Sequence, residues 1–125
     1  MKIAVTGGSG GIGRAIITEA LAQGHSAINI DRVAPPEPQP GVPFVMADMS
    51  EYETLVKAFA GCDGVIHMAA IPSPGRHPDH EIHNNNVVGS YNALHAAAAN
   101  GIKRVCQASS VNAIGHSYSR KARYD

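Results

Sequence analysis

Apolar residues in this chain fall into two kinds of run that take turns. Short blocks such as Ile3-Ala4-Val5, Ala27-Ile28, Phe44-Val45-Met46-Ala47 and Val65-Ile66 alternate with longer stretches where apolar residues return every three or four positions. The short blocks read as buried strands and the 3.6-residue period as amphipathic helices. The pattern predicts strands over 2–6, 26–31, 44–47, 64–69 and 104–108. It predicts helices over 11–23, over the segment carrying Tyr52, Leu55, Val56 and Phe59, and over 81–100. The first helix sets Ile12, Ile16 and Ala20 beside Ile17 and Leu21 on one face. The last has Val87, Tyr91, Leu94 and Ala98 in register, with alanines at 96–99 that allow close packing on a sheet. Gly24, Gly61 and Gly101 are placed to stop the three helices, and Asp48 or Ser50 to cap the second. The segment 32–43 holds five of the eight prolines, so it reads as a surface loop, partly in polyproline geometry. A domain linker is the rival reading, but the flanking pieces are too small to be separate domains. Pro72, Pro74, Gly75 and Pro78 make 70–79 a second loop. Strands alternating with helices imply an α/β fold, a parallel sheet covered on both faces. Right-handed crossovers give the doubly wound order 3-2-1-4-5.

Composition narrows the picture without redirecting it. A length of 125 residues suits one domain. Ten basic and ten acidic residues cancel, so nothing points to nucleic acid or an anionic membrane as partner. Cys62 and Cys106 stand in no metal or redox spacing, and Cys106, inside an apolar run, is expected to be buried and unpaired. No apolar run approaches the roughly 18–20 residues of a membrane span, and a cytoplasmic setting is expected. His77, His80 and His83 lie three apart, but they straddle a proline-rich loop and a helix start. A solvated loop accounts for them better than a metal site. His67 is expected to pack at the end of its strand.

The chemistry concentrates after the first strand, at Thr6-Gly7-Gly8-Ser9-Gly10-Gly11-Ile12-Gly13. Strand, glycine turn and helix start together form a phosphate cradle. The helix N-terminus supplies unpaired N–H groups and partial positive charge, and glycines let the backbone approach the ligand. Asp31 ends the second strand 18 residues past Gly13, near the spacing of an acid that binds an adenosine ribose. Its carboxylate can accept from both ribose hydroxyls and would repel a 2′-phosphate, favouring NAD over NADP. Arg32 argues the other way, because a guanidinium there could hold a 2′-phosphate. Arg14-Ala15 after Gly13 excludes the mononucleotide P-loop, which needs Gly-Lys-Ser/Thr.

The glycine stretch resembles the Thr-Gly-x-x-Gly-x-x-Gly signature of the extended short-chain dehydrogenase/reductases, also called the NAD-dependent epimerase/dehydratase family. Four further stretches are similar to family motifs in the same order: Asp48-Met49, His67-Met68-Ala69-Ala70, the segment opening with Asn85-Asn86-Val87, and Ala108-Ser109-Ser110 running on to Gly115. The resemblance implies a pyrophosphate held by backbone at Gly7, Gly10, Gly11, Ile12 and Gly13. It implies a ribose on Asp31 with Arg32 beside it, and adenine against Asp48 and Met49. Ala69, Ala70 and Ile71 would line the cofactor, Asn86 would lie near the nicotinamide end, and Ser110 would hydrogen-bond the substrate oxygen. A small-molecule substrate and a homodimer are implied for the full-length protein.

The chain departs from the family pattern in two places. Ile114 stands where a Tyr usually precedes Gly115, and no Tyr-x-x-x-Lys pair follows Ser110. Tyr118 and Lys121 are three apart and too early. A phenol with its ordinary pKa of about 10 is a poor base without a cation beside it, so the proton-transfer pair is missing. Residues 1–125 therefore read as the NAD(P)-binding part of an oxidoreductase or epimerase acting at a carbinol, inactive alone. A non-catalytic dinucleotide-binding module is the alternative. The Ile71-Pro72-Ser73-Pro74-Gly75 loop and the Ser-Ser stretch look more like the sugar (uronate-type) dehydrogenases than the sugar-nucleotide epimerases. The fifth strand is expected at an edge of the sheet.

Overall fold

In the computed structural model, the described residues are 1–73 and 75–110. Ile114, Gly115, Tyr118 and Lys121 lie outside them, as does Pro74. The chain runs β1 (Lys2–Thr6), α1 (Gly11–Ala22), β2 (Ser26–Asp31), β3 (Phe44–Met46), α2 (Tyr52–Ala58) and β4 (Gly64–His67). It continues through α3 (Asp79–His83), a π-helical turn (Asn84–Val88), α4 (Gly89–Ala99) and β5 (Arg104–Gln107). All strand pairs are parallel and the sheet order is β3-β2-β1-β4-β5, as the alternation predicts. β5 is the outermost strand on its side of the sheet among the described residues.

Side chains of a strand alternate between sheet faces, and the core divides accordingly. Ile3 and Val5 of β1 meet Ile17 and Ala20 of α1 on one face. Ala4, Ile28, Ile30 and Val65 meet Leu55, Phe59, Ala93, Ala96 and Ala97 on the other. Leu55 and Phe59 are fully buried. Cys62 is buried too, and burial pushes its thiol pKa up. The proline-rich segment is a loop tied to α1: Arg14 pairs with Glu37 at 3.1 Å, and Gln39 Nε2 donates to Thr18 Oγ1 at 2.7 Å. Those ties make it part of the domain rather than a linker.

Four expectations need correction. Ile12 is exposed, because the helix meets the sheet one turn later, at Ile17 and Ala20. Neither Asp48 nor Ser50 caps α2, which starts after Glu51 without a side-chain cap. Asp48 Oδ1 instead accepts from the Ser50 N–H at 2.8 Å and the Ser50 hydroxyl at 2.7 Å, closing a turn before the helix. Val87, Tyr91, Leu94 and Ala98 are exposed; the buried face of the last helical run is Asn85, Gly89, Ala93, Ala96 and Ala97. Small side chains win that face because they let the helix approach closely. A Cβ on Gly89 would stand 2.6 Å from Met49 Cβ. Cys106 is exposed on the edge strand rather than buried.

Substituting Gly89→Val should therefore destabilise the chain by about 1–3 kcal/mol through overpacking, read from the midpoint of urea denaturation. Gly61→Asn, at a positive-φ stop with nothing within 4 Å of the added Cβ, should cost less.

Candidate functional site

The glycine loop leaves β1 and turns back on itself before α1. Gly7 has φ +71°, and a Cβ there would stand 2.8 Å from the Ala69 nitrogen. Both facts demand glycine, since L side chains avoid that region and the loop rests on the backbone just past β4. A Cβ on Gly13 would collide with the Gly7 carbonyl oxygen and come within 2.7 Å of Gly8 Cα. The turn closes through the Gly10 N–H on the Gly7 carbonyl at 3.1 Å, and the helical ladder opens with the Arg14 N–H on the Gly10 carbonyl at 2.9 Å. The amides of Gly11, Ile12 and Gly13 precede that ladder, at the positive end of the α1 dipole.

A cavity of about 160 Å³ lies beside this loop, lined by Gly7, Gly10, Asp31, Arg32, Met49, Met68, Ala69, Ala70 and Asn85. Asp31 is fixed by its neighbours: Oδ2 accepts from the Ser9 N–H at 3.1 Å and Oδ1 from the Val33 N–H at 3.3 Å. Ser9 is also held by Asn29, whose Nδ2 donates to Ser9 Oγ at 3.1 Å. Asn29 Oδ1 is buried without a hydrogen-bond partner among the described residues. Arg32 Nη1 lies 3.7 Å from Asp48 Oδ2. The Ser50 backbone N–H bond, helped by the Ser50 hydroxyl and Arg32, lowers the Asp48 pKa against a partial opposition from burial.

A larger cavity, about 560 Å³, lies across the segment following β4 and shares Met68, Ala69 and Ala70 with the first. His67, Ile71, Asn86, Ser90, Gln107, Ser109 and Ser110 also line it. The Asn86 amide clamps Ile71 from both sides, Oδ1 accepting from its N–H at 2.8 Å and Nδ2 donating to its carbonyl at 3.0 Å. His67 is buried as expected, with Nδ1 2.6 Å from Thr6 Oγ1 and Nε2 3.2 Å from Ser90 Oγ. Burial alone pushes its imidazole pKa below the ordinary 6.5.

The residues named from sequence thus divide. Gly7, Gly10, Asp31, Arg32, Met49, Ala69 and Ala70 meet at the smaller cavity; Ile71, Asn86 and Ser110 meet at the larger. Gly11, Ile12 and Gly13 shape the helix start, and Asp48 acts on Arg32 and Ser50 rather than lining the cavity. Met49 is almost wholly buried in the core and also lines the cavity. Ser9, Asn29, Asn85 and Ser90 were not singled out for the site. Asn85 had a visible signal in the Asn-Asn pair, whereas Asn29 is one polar residue in an apolar strand. His77 Nδ1 pairs with Glu81 at 3.5 Å, and no group of three or more potential metal ligands occurs among the described residues.

A parallel sheet in this order, with a glycine turn and a strand-end acid at its crevice, defines a Rossmann-type dinucleotide-binding fold. The model of the NAD dependent epimerase/dehydratase family matches residues 3–124, and the chain belongs to that family. It is 37% identical over 108 residues to L-arabinose 1-dehydrogenase (NAD(P)(+)) of Haloferax volcanii, covering 86% of this chain and 40% of that protein. A short-chain dehydrogenase/reductase superfamily protein of Agrobacterium tumefaciens, solved with bound NAD, superposes with TM-score 0.84 at 26% identity, over 98% of this chain and 36% of that one. A variant of uronate dehydrogenase from Agrobacterium tumefaciens, complexed with NAD, gives TM-score 0.74 at 31% identity, over 87% and 40%. The chain spans about 40% of the length of such relatives. No helix among the described residues is long and apolar enough to cross a membrane.

The lowered His67 pKa has a signed consequence for folding. Between the native value and 6.5 the unfolded chain binds the proton and the native chain does not. Stability should therefore be level above pH 6.5 with respect to this group, and fall as pH drops toward the native pKa. Urea midpoints across this range should show that fall, and His67→Gln should flatten it.

Proposed function

We propose that this chain binds NAD in the crevice at the carboxyl ends of β1, β2 and β4. In this reading it is the cofactor-binding part of an oxidoreductase or epimerase that works at a carbinol carbon of a sugar or sugar derivative. The observation that carries the proposal is the pair of cavities sharing the wall Met68-Ala69-Ala70. The residues present fit a dinucleotide. Amides at the start of α1 suit a pyrophosphate, the Asp31 carboxylate suits a ribose diol, and the glycines keep Cβ atoms out of the approach. When bound, a nicotinamide ring accepts or returns a hydride. Ser110, at the larger cavity, would donate a hydrogen bond to the reacting oxygen. The sugar class is supported by the names of the arabinose and uronate dehydrogenases among the relatives. The chain alone is expected to bind NAD without turnover. A cytoplasmic setting and a homodimeric full-length protein belong to the same reading.

Preference for NAD over NADP rests on Asp31 in the cavity wall and on Arg32 being engaged by Asp48. Calorimetric titration with each cofactor should show tighter binding of NAD; tighter NADP binding would overturn the assignment of Asp31. Asp48→Asn removes the charge that holds Arg32. It should raise NADP affinity by a few-fold, on the scale of about 1 kcal/mol for an exposed ion pair, and leave NAD affinity nearly unchanged.

A further inference from the structure

We infer that His67 is a positioning residue: as the neutral imidazole carrying its proton on Nε2, it joins the walls of the two cavities through one directed chain of hydrogen bonds. Its consequence for cofactor binding rests on the function proposed above; the bond directions do not.

The directions follow from counting protons. Ser90 Oγ lies 2.6 Å from the Asn86 carbonyl oxygen. A carbonyl only accepts, so the single hydroxyl proton of Ser90 is committed there. His67 Nε2, 3.2 Å from the same Oγ, must then donate to it. In the neutral ring Nδ1 is consequently bare, and Thr6 Oγ1, 2.6 Å away, donates to it. That leaves the lone pairs of Thr6 for the N–H groups of Met68 at 3.2 Å and Ala69 at 3.3 Å. Each hydroxyl and ring proton has one place and its bond one direction; the Met68 N–H is shared between Thr6 Oγ1 and the Thr6 carbonyl oxygen at 3.1 Å. The opposite tautomer would pull the Ser90 proton off the Asn86 carbonyl. A doubly protonated ring would present Nδ1–H to a Thr6 oxygen already accepting two bonds.

The chain of bonds has a functional position. Met68 and Ala69 line both cavities, while Asn86, at the other end, clamps Ile71. His67 spans from one to the other. Among the described residues, the ring's hydrogen-bond neighbours are Thr6 from β1 and Ser90 from α4, and the register partner of His67 on β5 is Gln107, none of them charged.

Nitrogen NMR of the chain labelled with ¹⁵N in its histidine rings tests the tautomer directly, with His67→Gln assigning the signal by its loss. At neutral pH, His67 should show a protonated Nε2 and an unprotonated Nδ1. A protonated Nδ1, or exchange between both forms, would overturn the proposal. A second arm reads NAD affinity. Thr6→Val should weaken binding by about tenfold, the scale of one buried group left unpaired. Thr6→Ser, which restores the hydroxyl, should bind like the unaltered chain. Equal affinity for the valine variant would refute the positioning role. If that variant fails to fold, the pH profile of the unaltered chain decides: NAD affinity should fall as His67 protonates in its own NMR titration, and an unchanged affinity through that range would refute the role. An unaltered chain that binds no NAD would remove the proposed function, while the tautomer result would stand or fall separately.

Discussion

The site depends on two stretches of backbone touching. The turn at Gly7 rests on the chain at Ala69 with less room between them than a methyl group needs. This contact fixes the glycine loop against the segment after β4, and both flanking cavities inherit their shape from it. Because β1 and β4 are adjacent parallel strands, their carboxyl ends open on the same side. The start of α1, the end of β2 and the loop leaving β4 then converge, and side-chain bonds from Asp31 and Asn29 to Ser9 tie the glycine loop to β2. The hydrogen bonds of Thr6 to the Met68 and Ala69 amides reinforce the same approach from below.

The distribution of polarity in the interior follows from this arrangement. Among the described residues, the buried polar ones are Thr6, Asn29, His67 and Asn85. They occupy the ends of β1 and β4, the latter part of β2 and the π-helical turn, all near the crevice. Elsewhere the described core is apolar, with Phe59 its largest fully buried side chain. Burying polar groups costs free energy unless they are bonded, and three of these four are bonded in ways that shape the cavities. Asn29 is half satisfied, its nitrogen on Ser9 and its oxygen without a partner.

Much of this was legible beforehand because it is local. Strand order, the glycine loop, Asp31 and the strand-end His67 follow from short apolar runs, glycine positions and spacing. What escaped had two physical sources. The apolar spacing puts Val87, Tyr91, Leu94 and Ala98 on the buried face of the last helix. The structure buries Gly89, which packs against Met49, together with Ala93, Ala96 and Ala97; the close packing expected of the alanines holds for Ala96 and Ala97, while a hydrophobicity pattern ranks Gly89 low. Cys106 is expected inside because its block is apolar, but that block forms the outermost strand on its side of the sheet among the described residues, the position the sequence itself predicts for β5, and there an apolar run stays exposed. The partners that Asp48 takes up, Ser50 and Arg32, are visible only in three dimensions.

The π-helical turn at Asn84–Val88 makes the last helical run a coupling between two phases. One extra residue per turn rotates everything after it by about 100° relative to an unbroken α-helix. Asn86, which holds Ile71, lies within this turn, and the Gly89-Ala93-Ala96 face, which packs into the core, follows it. Deleting a single residue there would not simply shorten the helix. It would force a choice between holding the loop and filling the core, so the irregular turn is a phase adjustment on which site and scaffold both rely.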